Sequence, residues 1–238
     1  MSRCENQQVT CPRCGASQET KVFVSVNGGR IKSAADRIVD GSWGALSCLK
    51  CGAEYHRPAP RLFSDLPGRL WLVRYDDAER GRYSMREEEA NTIFEREWIE
   101  RPPASIRDQA LSMQRRICFG PAQLREKLLL RRHGLDDRMV ECLKLVLMRE
   151  YASDLFAFGP AEFYVHQVEP GGFGMVAVSI GERHQIFELK VERLTFEEIA
   201  QDAERFREAF PELFTNLYVS ASRYVTELEA EKVPQSVR

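Results

Sequence analysis

The sequence predicts an α+β fold in two parts, and three observations carry that reading. Two Cys-x-x-Cys pairs stand near the start, apolar residues recur at helical spacing through the middle, and beyond Tyr151 the period changes to strand-like alternation. With 238 residues and 43% hydrophobic content, the chain has material for one large domain or two ordinary ones. The expected parts are residues 1–151 and 152–232, with 233–238 a frayed tail. Charge divides near the same place. Residues 1–149 hold 26 Lys and Arg against 20 Asp and Glu, a balance of +6, whereas residues 150–238 carry −8.

The two pairs are Cys11-Pro12-Arg13-Cys14-Gly15 and Cys48-Leu49-Lys50-Cys51-Gly52. Two residues between cysteines let the backbone fold round one ion with its amides aimed at the sulfurs, and the glycine that follows supplies a positive φ. Each pair is half of a tetrahedral site, so Cys11, Cys14, Cys48 and Cys51 predict one closed structural Zn2+ centre. A thioredoxin-like pair would leave the other pair unexplained, and four unrelated buried thiols are the remaining alternative. A four-cysteine site has no open position for water or substrate, so it holds a fold together and performs no chemistry. Of the other three cysteines, Cys118 and Cys142 read as small buried hydrophobes. Cys4 reads as a loose thiol and an alternative ligand, and His56, five residues after Cys51, as a second alternative ligand.

Each element follows from local pattern. Lys21 to Val26 alternates and is rich in β-branched residues, a strand that ends at Asn27-Gly28-Gly29. Arg30 to Asp40 is a short helical stretch, and Trp43 to Ser47 leads into the second cysteine pair. The 33 residues between the pairs exceed the usual spacing of a compact ribbon, so the N-terminal part is expected to be an elaborated zinc ribbon with helices. Ala53 to Arg57 and Arg69 to Tyr75 read as strands, with a turn at Asp65-Leu66-Pro67-Gly68. Residues 86–99 predict a helix with three glutamates in its first turns, where the macrodipole favours them, and Arg101-Pro102-Pro103 stops it. Ala104 to Gln114 is a further helical piece and Arg115 to Phe119 a strand. Pro121 suits the first position of a helix to Arg132, and after Gly134 the stripe of Met139, Val140, Leu143, Val146 and Leu147 marks another over 138–151.

Phe163 to Val168, Phe173 to Ile180 and Gln185 to Val191 then read as strands, with turns at 169–172 and at Gly181-Glu182. Thr195 and Glu198 form a capping box, opening a helix whose stripe is Phe196, Ile199, Ala203, Phe206 and Phe210. Pro211 starts a last helix with Leu213, Leu217, Ala221, Tyr224 and Leu228. The second part is thus a small antiparallel sheet covered by two helices.

The cysteine motifs resemble those of the CpXC domain family, a bacterial and archaeal family named for two motifs of this kind. Cys11-Pro12-Arg13-Cys14 fits the first motif fully, while the second carries Leu49 where proline is usual. Leu124 to Lys127, Gly134 to Asp137 and Glu141 to Lys144 resemble the family's later helical part, so the likeness spans roughly residues 9–150. It implies a paired-knuckle domain and brings no activity with it.

No catalytic constellation is predicted. His133 beside Asp136 and Asp137 suggests a hydrolase only weakly, because Gly134 reads as a helix C-cap and the aspartates as the next N-cap. His166 and His184 fall on strands and receive no role. Arg115, Arg116, Arg125, Lys127, Arg131, Arg132 and Arg138 could form a phosphate-contacting patch, but helical periodicity spreads them and nearby acids dilute them. The expectation is a non-enzymatic, cytoplasmic adaptor or regulatory module with a protein partner. A zinc-ribbon nucleic-acid binder stands second and a hydrolase third. Met1 to Thr10 lacks a secretion-signal core and no run of 18 apolar residues exists, so no membrane association is expected.

Overall fold

A computed structural model describes residues 2–157, 159–180 and 184–224. It is a mixed α and β structure that divides into two compact units, residues up to Leu128 and residues from Leu129. Leu228, the turn at Gly181-Glu182 and the tail 233–238 lie outside the described residues.

The first unit opens with strands β1 (Arg3–Thr10) and β2 (Ser17–Asn27), a short helix α1 (Ala34–Val39), and the two-stranded hairpin β3 (Ala45–Ser47) and β4 (Glu54–His56). Strands β5 (Leu62–Asp65) and β6 (Leu70–Tyr75) follow, then α2 (Tyr83–Phe94), α3 (Ala104–Ala110), β7 (Gln114–Phe119) and α4 (Gly120–Arg132), within which the division falls. The five-stranded sheet has the order β1-β2-β5-β6-β7. β1 with β2 and β5 with β6 are antiparallel, while β2 with β5 and β6 with β7 are parallel. Leu70, Trp71 and Leu72 of β6 are all buried, the continuous apolar run of a strand covered on both faces, and Trp71 meets Phe94 of α2 edge-on at 5.2 Å.

Two sequence expectations for this unit need correction, and two strands carried no signal. β1 and β5 had no strand signal: β1 is almost wholly polar and exposed, and β5 is only four residues long. Helix α2 begins at Tyr83, so Glu87 to Glu89 stand beyond its first turn; the acidic residues that open this region are Asp77 and Glu79, in the 3-10 turn before it. Gln114 opens β7 and is not helical.

The second unit contains α5 (Asp137–Glu150), the single turn α6 (Ala152–Leu155), the antiparallel sheet of β8 (Ala161–Glu169), β9 (Gly172–Ser179) and β10 (Gln185–Glu192) in the order β10-β9-β8, then α7 (Arg193–Gln201), α8 (Ala203–Ala209) and the turn α9 (Glu212–Thr215). α5 therefore belongs with these strands. Val191 is buried and Phe187 and Leu189 half-buried, while Glu188 and Lys190 are exposed, the alternation expected of β10. Phe187 touches Phe163 and Tyr151 at 5.8 Å each, and buried Phe196 packs on Phe173 at 5.3 Å.

Here too the structure corrects the pattern. Thr195 is no cap: β10 runs straight into α7, and the orphan amide of Arg193 donates to the Gly171 carbonyl at 2.9 Å. The phenylalanine stripe is broken at Asp202 into two helices, although Phe196 and Phe206 are both buried. The helix after Pro211 lasts one turn: the backbone becomes extended at Asn216, and Thr215 Oγ1 donates to the Pro211 carbonyl and to Asn216 Oδ1.

A lysine and a glutamate are paired deep in this unit. Lys144 Nζ stands 3.0 Å from Glu141 Oε1, both almost fully buried, and Glu141 Oε2 accepts from the Ala221 amide at 2.8 Å. A buried carboxylate stripped of its ammonium loses the cation that offsets its charge. Lys144→Met is therefore expected to lower stability by roughly 3–5 kcal/mol in denaturant unfolding. An unchanged midpoint would show that the pair contributes nothing net.

Candidate metal centre

Each cysteine pair sits at the tip of a hairpin. Thr10 of β1 faces Ser17 of β2 across the first tip, and Ser47 of β3 faces Glu54 of β4 across the second. The tips share one bonding pattern. The Gly15 amide donates to the Cys11 carbonyl at 3.0 Å and the Cys11 amide to the Ala16 carbonyl at 2.8 Å; the Gly52 amide donates to the Cys48 carbonyl and the Cys48 amide to the Ala53 carbonyl, both at 2.9 Å. Gly15 and Gly52 take φ of 69° and 70°, as the motif requires, and no atom lies within 4 Å of a Cβ built on either. Conformation, not space, selects glycine there.

The hairpins bring all four predicted cysteines together, with their sulfurs within 4.8 Å of one another. Cys11 and Cys51 sulfurs are 3.8 Å apart and those of Cys14 and Cys48 3.6 Å. A tetrahedron with metal–sulfur bonds of about 2.3 Å has edges of about 3.8 Å, so the group fits an ion at its centre. Cys11 and Cys48 are buried, Cys14 and Cys51 half-buried. Amides of Cys51 and Lys50 aimed at Cys48 lower its thiol to about 6. The Ala53 amide pulls Cys51 the same way, but burial and the sulfurs of Cys14, Cys48 and Cys11 together push it up to about 12. A cation at the centre would favour the thiolate at every position.

Two further residues shape the site. Gln18 of β2 ties the tips together, its Nε2 donating to the Ser47 carbonyl at 3.3 Å and its Oε1 accepting from the Leu49 amide at 3.0 Å. Tyr55 of β4 packs in one buried cluster with Cys11 and Cys48. Burial first, then the nearby sulfurs, raises its phenol above the ordinary value, so it stays protonated. Neither residue stood out in the sequence: Gln18 is one polar residue among many, and Tyr55 is simply the inward position of a three-residue strand.

The alternative ligands stand elsewhere. Cys4 is exposed on β1, and His56 is exposed with Nδ1 3.4 Å from the Trp43 carbonyl. Cys118 and Cys142 are buried, and burial pushes both thiols up to about 12. Asp136 caps α5, accepting from the Arg138 amide at 3.0 Å and holding the Arg138 guanidinium at 2.7 Å, while His133 is exposed. The basic residues are dispersed. Arg115 lies over the Phe94 ring and beside Asn91, Arg125 donates to the Val39 carbonyl at 2.6 Å, and Lys127 is buried.

The model of the CpXC protein family matches residues 9–144 and so takes in both hairpin tips. The chain belongs to the CpXC family. No curated protein and no solved structure matches it. In this CpXC chain the four-cysteine group falls wholly inside the matched region, and no described helix is long and apolar enough to cross a membrane.

Two outcomes follow from this geometry. Ion binding in small thiolate sites is worth roughly 10–16 kcal/mol of folding free energy, so Cys11→Ser or Cys48→Ser should strip the metal and unfold at least the N-terminal hairpins, read by metal analysis and circular dichroism. Full metal content in Cys48→Ser would remove Cys48 from the site. Gly15→Ala should keep the metal yet cost about 1–2 kcal/mol, because alanine must take the left-handed conformation.

Proposed function

We propose that this CpXC protein is a non-enzymatic adaptor or regulatory module whose hairpin tips are fastened by one Zn2+ and whose ligand is another protein. The observation that carries the reading is the donor set. Four thiolates complete a tetrahedron and leave no position for water or substrate, and zinc is the ion that best suits four sulfurs in that geometry at a permanently closed site. Leu49, at the second tip, is 89% exposed, and it offers a partner an apolar point on a rigid loop.

Nucleic acid is the second reading, favoured by the +6 balance of residues 1–149. Against it, the basic side chains are scattered among aromatic and carbonyl contacts, and the −8 segment would repel a phosphate backbone. A titration with duplex and single-stranded DNA and RNA separates the two. The expected result is weak binding that falls steeply with salt and is little changed when Arg115, Arg116, Arg131 and Arg132 become alanine. Tight binding at physiological salt that the fourfold variant loses would overturn the adaptor reading.

A further inference from the structure

We propose that a pocket at the foot of the second hairpin binds a carboxylate presented by an acidic segment of the partner protein. This deepens the adaptor reading above and rests on it. The pocket lies where β2, α1 and the β3–β4 hairpin meet, has a volume of about 70 Å3, and is lined by Phe23, Arg37, Trp43, Gly44, Arg57 and Pro58. Two of the six are arginines and none is acidic. Its walls are braced. Phe23 packs on Trp43 at 5.4 Å, and Gly44, with φ of 72°, passes so near Arg57 that a Cβ there would stand 3.0 Å from the Cβ of the arginine.

The hydrogen bonds of the two arginines leave their charge unmet. Arg57 donates through Nη1 to the Lys21 carbonyl at 2.6 Å and through Nε to the Gly44 carbonyl at 3.4 Å, and its Nη2 has no acceptor among the described residues. Arg37 lies over the Trp43 ring, 5.5 Å from its centroid, and donates through Nη2 to the Ser42 carbonyl at 3.4 Å. Neither makes an ion pair among the described residues. Carbonyls take up donors without cancelling charge, so two like charges line one cavity, and an oxyanion between them relieves the repulsion and accepts from the remaining N–H groups. Size chooses among oxyanions. Cofactor and small-molecule pockets run to roughly 300–1,000 Å3, several times this one, which suits a single acidic side chain. A nucleic-acid base finds no platform here, because Trp43 is buried and Arg37 already covers its ring. Arginine and tryptophan round a small pocket are, in contrast, the residues that anchor protein interfaces.

The test follows the arginine Nε–H and tryptophan indole N–H signals of the isotope-labelled full chain by NMR. The titrants are the acetylated, amidated peptide Gly-Glu-Glu-Gly, its Gly-Gln-Gln-Gly counterpart, inorganic phosphate and a uridine hexanucleotide. The expected result is a saturable shift at Arg37, Arg57 and Trp43 with the glutamate peptide and none with the glutamine peptide. Arg37→Gln and Arg57→Lys, which keeps the charge but loses the fork, should each weaken binding about tenfold. Arg37 is exposed, so its variant keeps the fold and decides the matter whatever becomes of Arg57→Lys. No shift with the glutamate peptide, an equal response to the glutamine peptide, or undiminished binding by Arg37→Gln overturns the proposal. Tighter occupation of the same signals by phosphate or by the hexanucleotide assigns the pocket to free phosphate or to nucleic acid and overturns it equally. Failure here is distinct from failure of the adaptor reading, since none of the four arginines changed in the nucleic-acid titration lines this pocket.

Discussion

The first unit depends on the meeting of two hairpin tips that the sequence separates by more than thirty residues. β3 and β4 are three residues each, too short to stand as an independent pair, and what fastens them to β1 and β2 is the gathering of four sulfurs at about 3.7 Å along opposite edges. Gln18 adds a second fastening, accepting from one tip and donating to it while anchored in β2. The matching amide patterns at the tips mean that each presents its sulfurs in the same way, so the two halves close on one point.

That centre is continuous with the sheet. β1 runs from the edge of the five-stranded sheet directly into Cys11, and β2 leaves Ser17 and crosses to pair with β5. β1 is polar along nearly its whole length, so it buries little apolar surface and holds its place through the ladder and the tip. Order at the centre and order at this edge are therefore one property. The inner strands differ, because Trp71, Ile117 and Phe119 bury large apolar side chains that hold β6 and β7 without help from the tip.

The second unit rests on aromatic packing and on the buried pair of Lys144 and Glu141. Phe163, Phe173, Phe187 and Phe196 interlock across the sheet and its covering helix. Glu141 binds both Lys144 on its own helix and the amide of Ala221 far along the chain, fixing where the last described segment lies against α5. A carboxylate with partners at both oxygens specifies a position that apolar contact alone would leave free to slide.

The four-cysteine group was legible in the sequence because spacing and the trailing glycines are local: Cys11, Cys14, Cys48 and Cys51 each sit within a few bonds of the feature that shapes them. Long periodic segments were equally legible, α4 and α5 from their helical stripes and β8 to β10 from alternation. Other features were set by distant contacts. β1 is a strand because β2 offers it a ladder, not because its residues favour one; at the start of α7 the Arg193 amide finds the Gly171 carbonyl and no side chain caps the helix; and the last predicted helix gives way at Asn216, where the backbone becomes extended. Sequence by itself singled out the four cysteines that come together, since their spacing and trailing glycines are local features. Only the tertiary structure decided what surrounds them, placing Gln18 across the tips and Tyr55 in one buried cluster with Cys11 and Cys48, because those positions depend on how strands distant in the chain come to lie side by side.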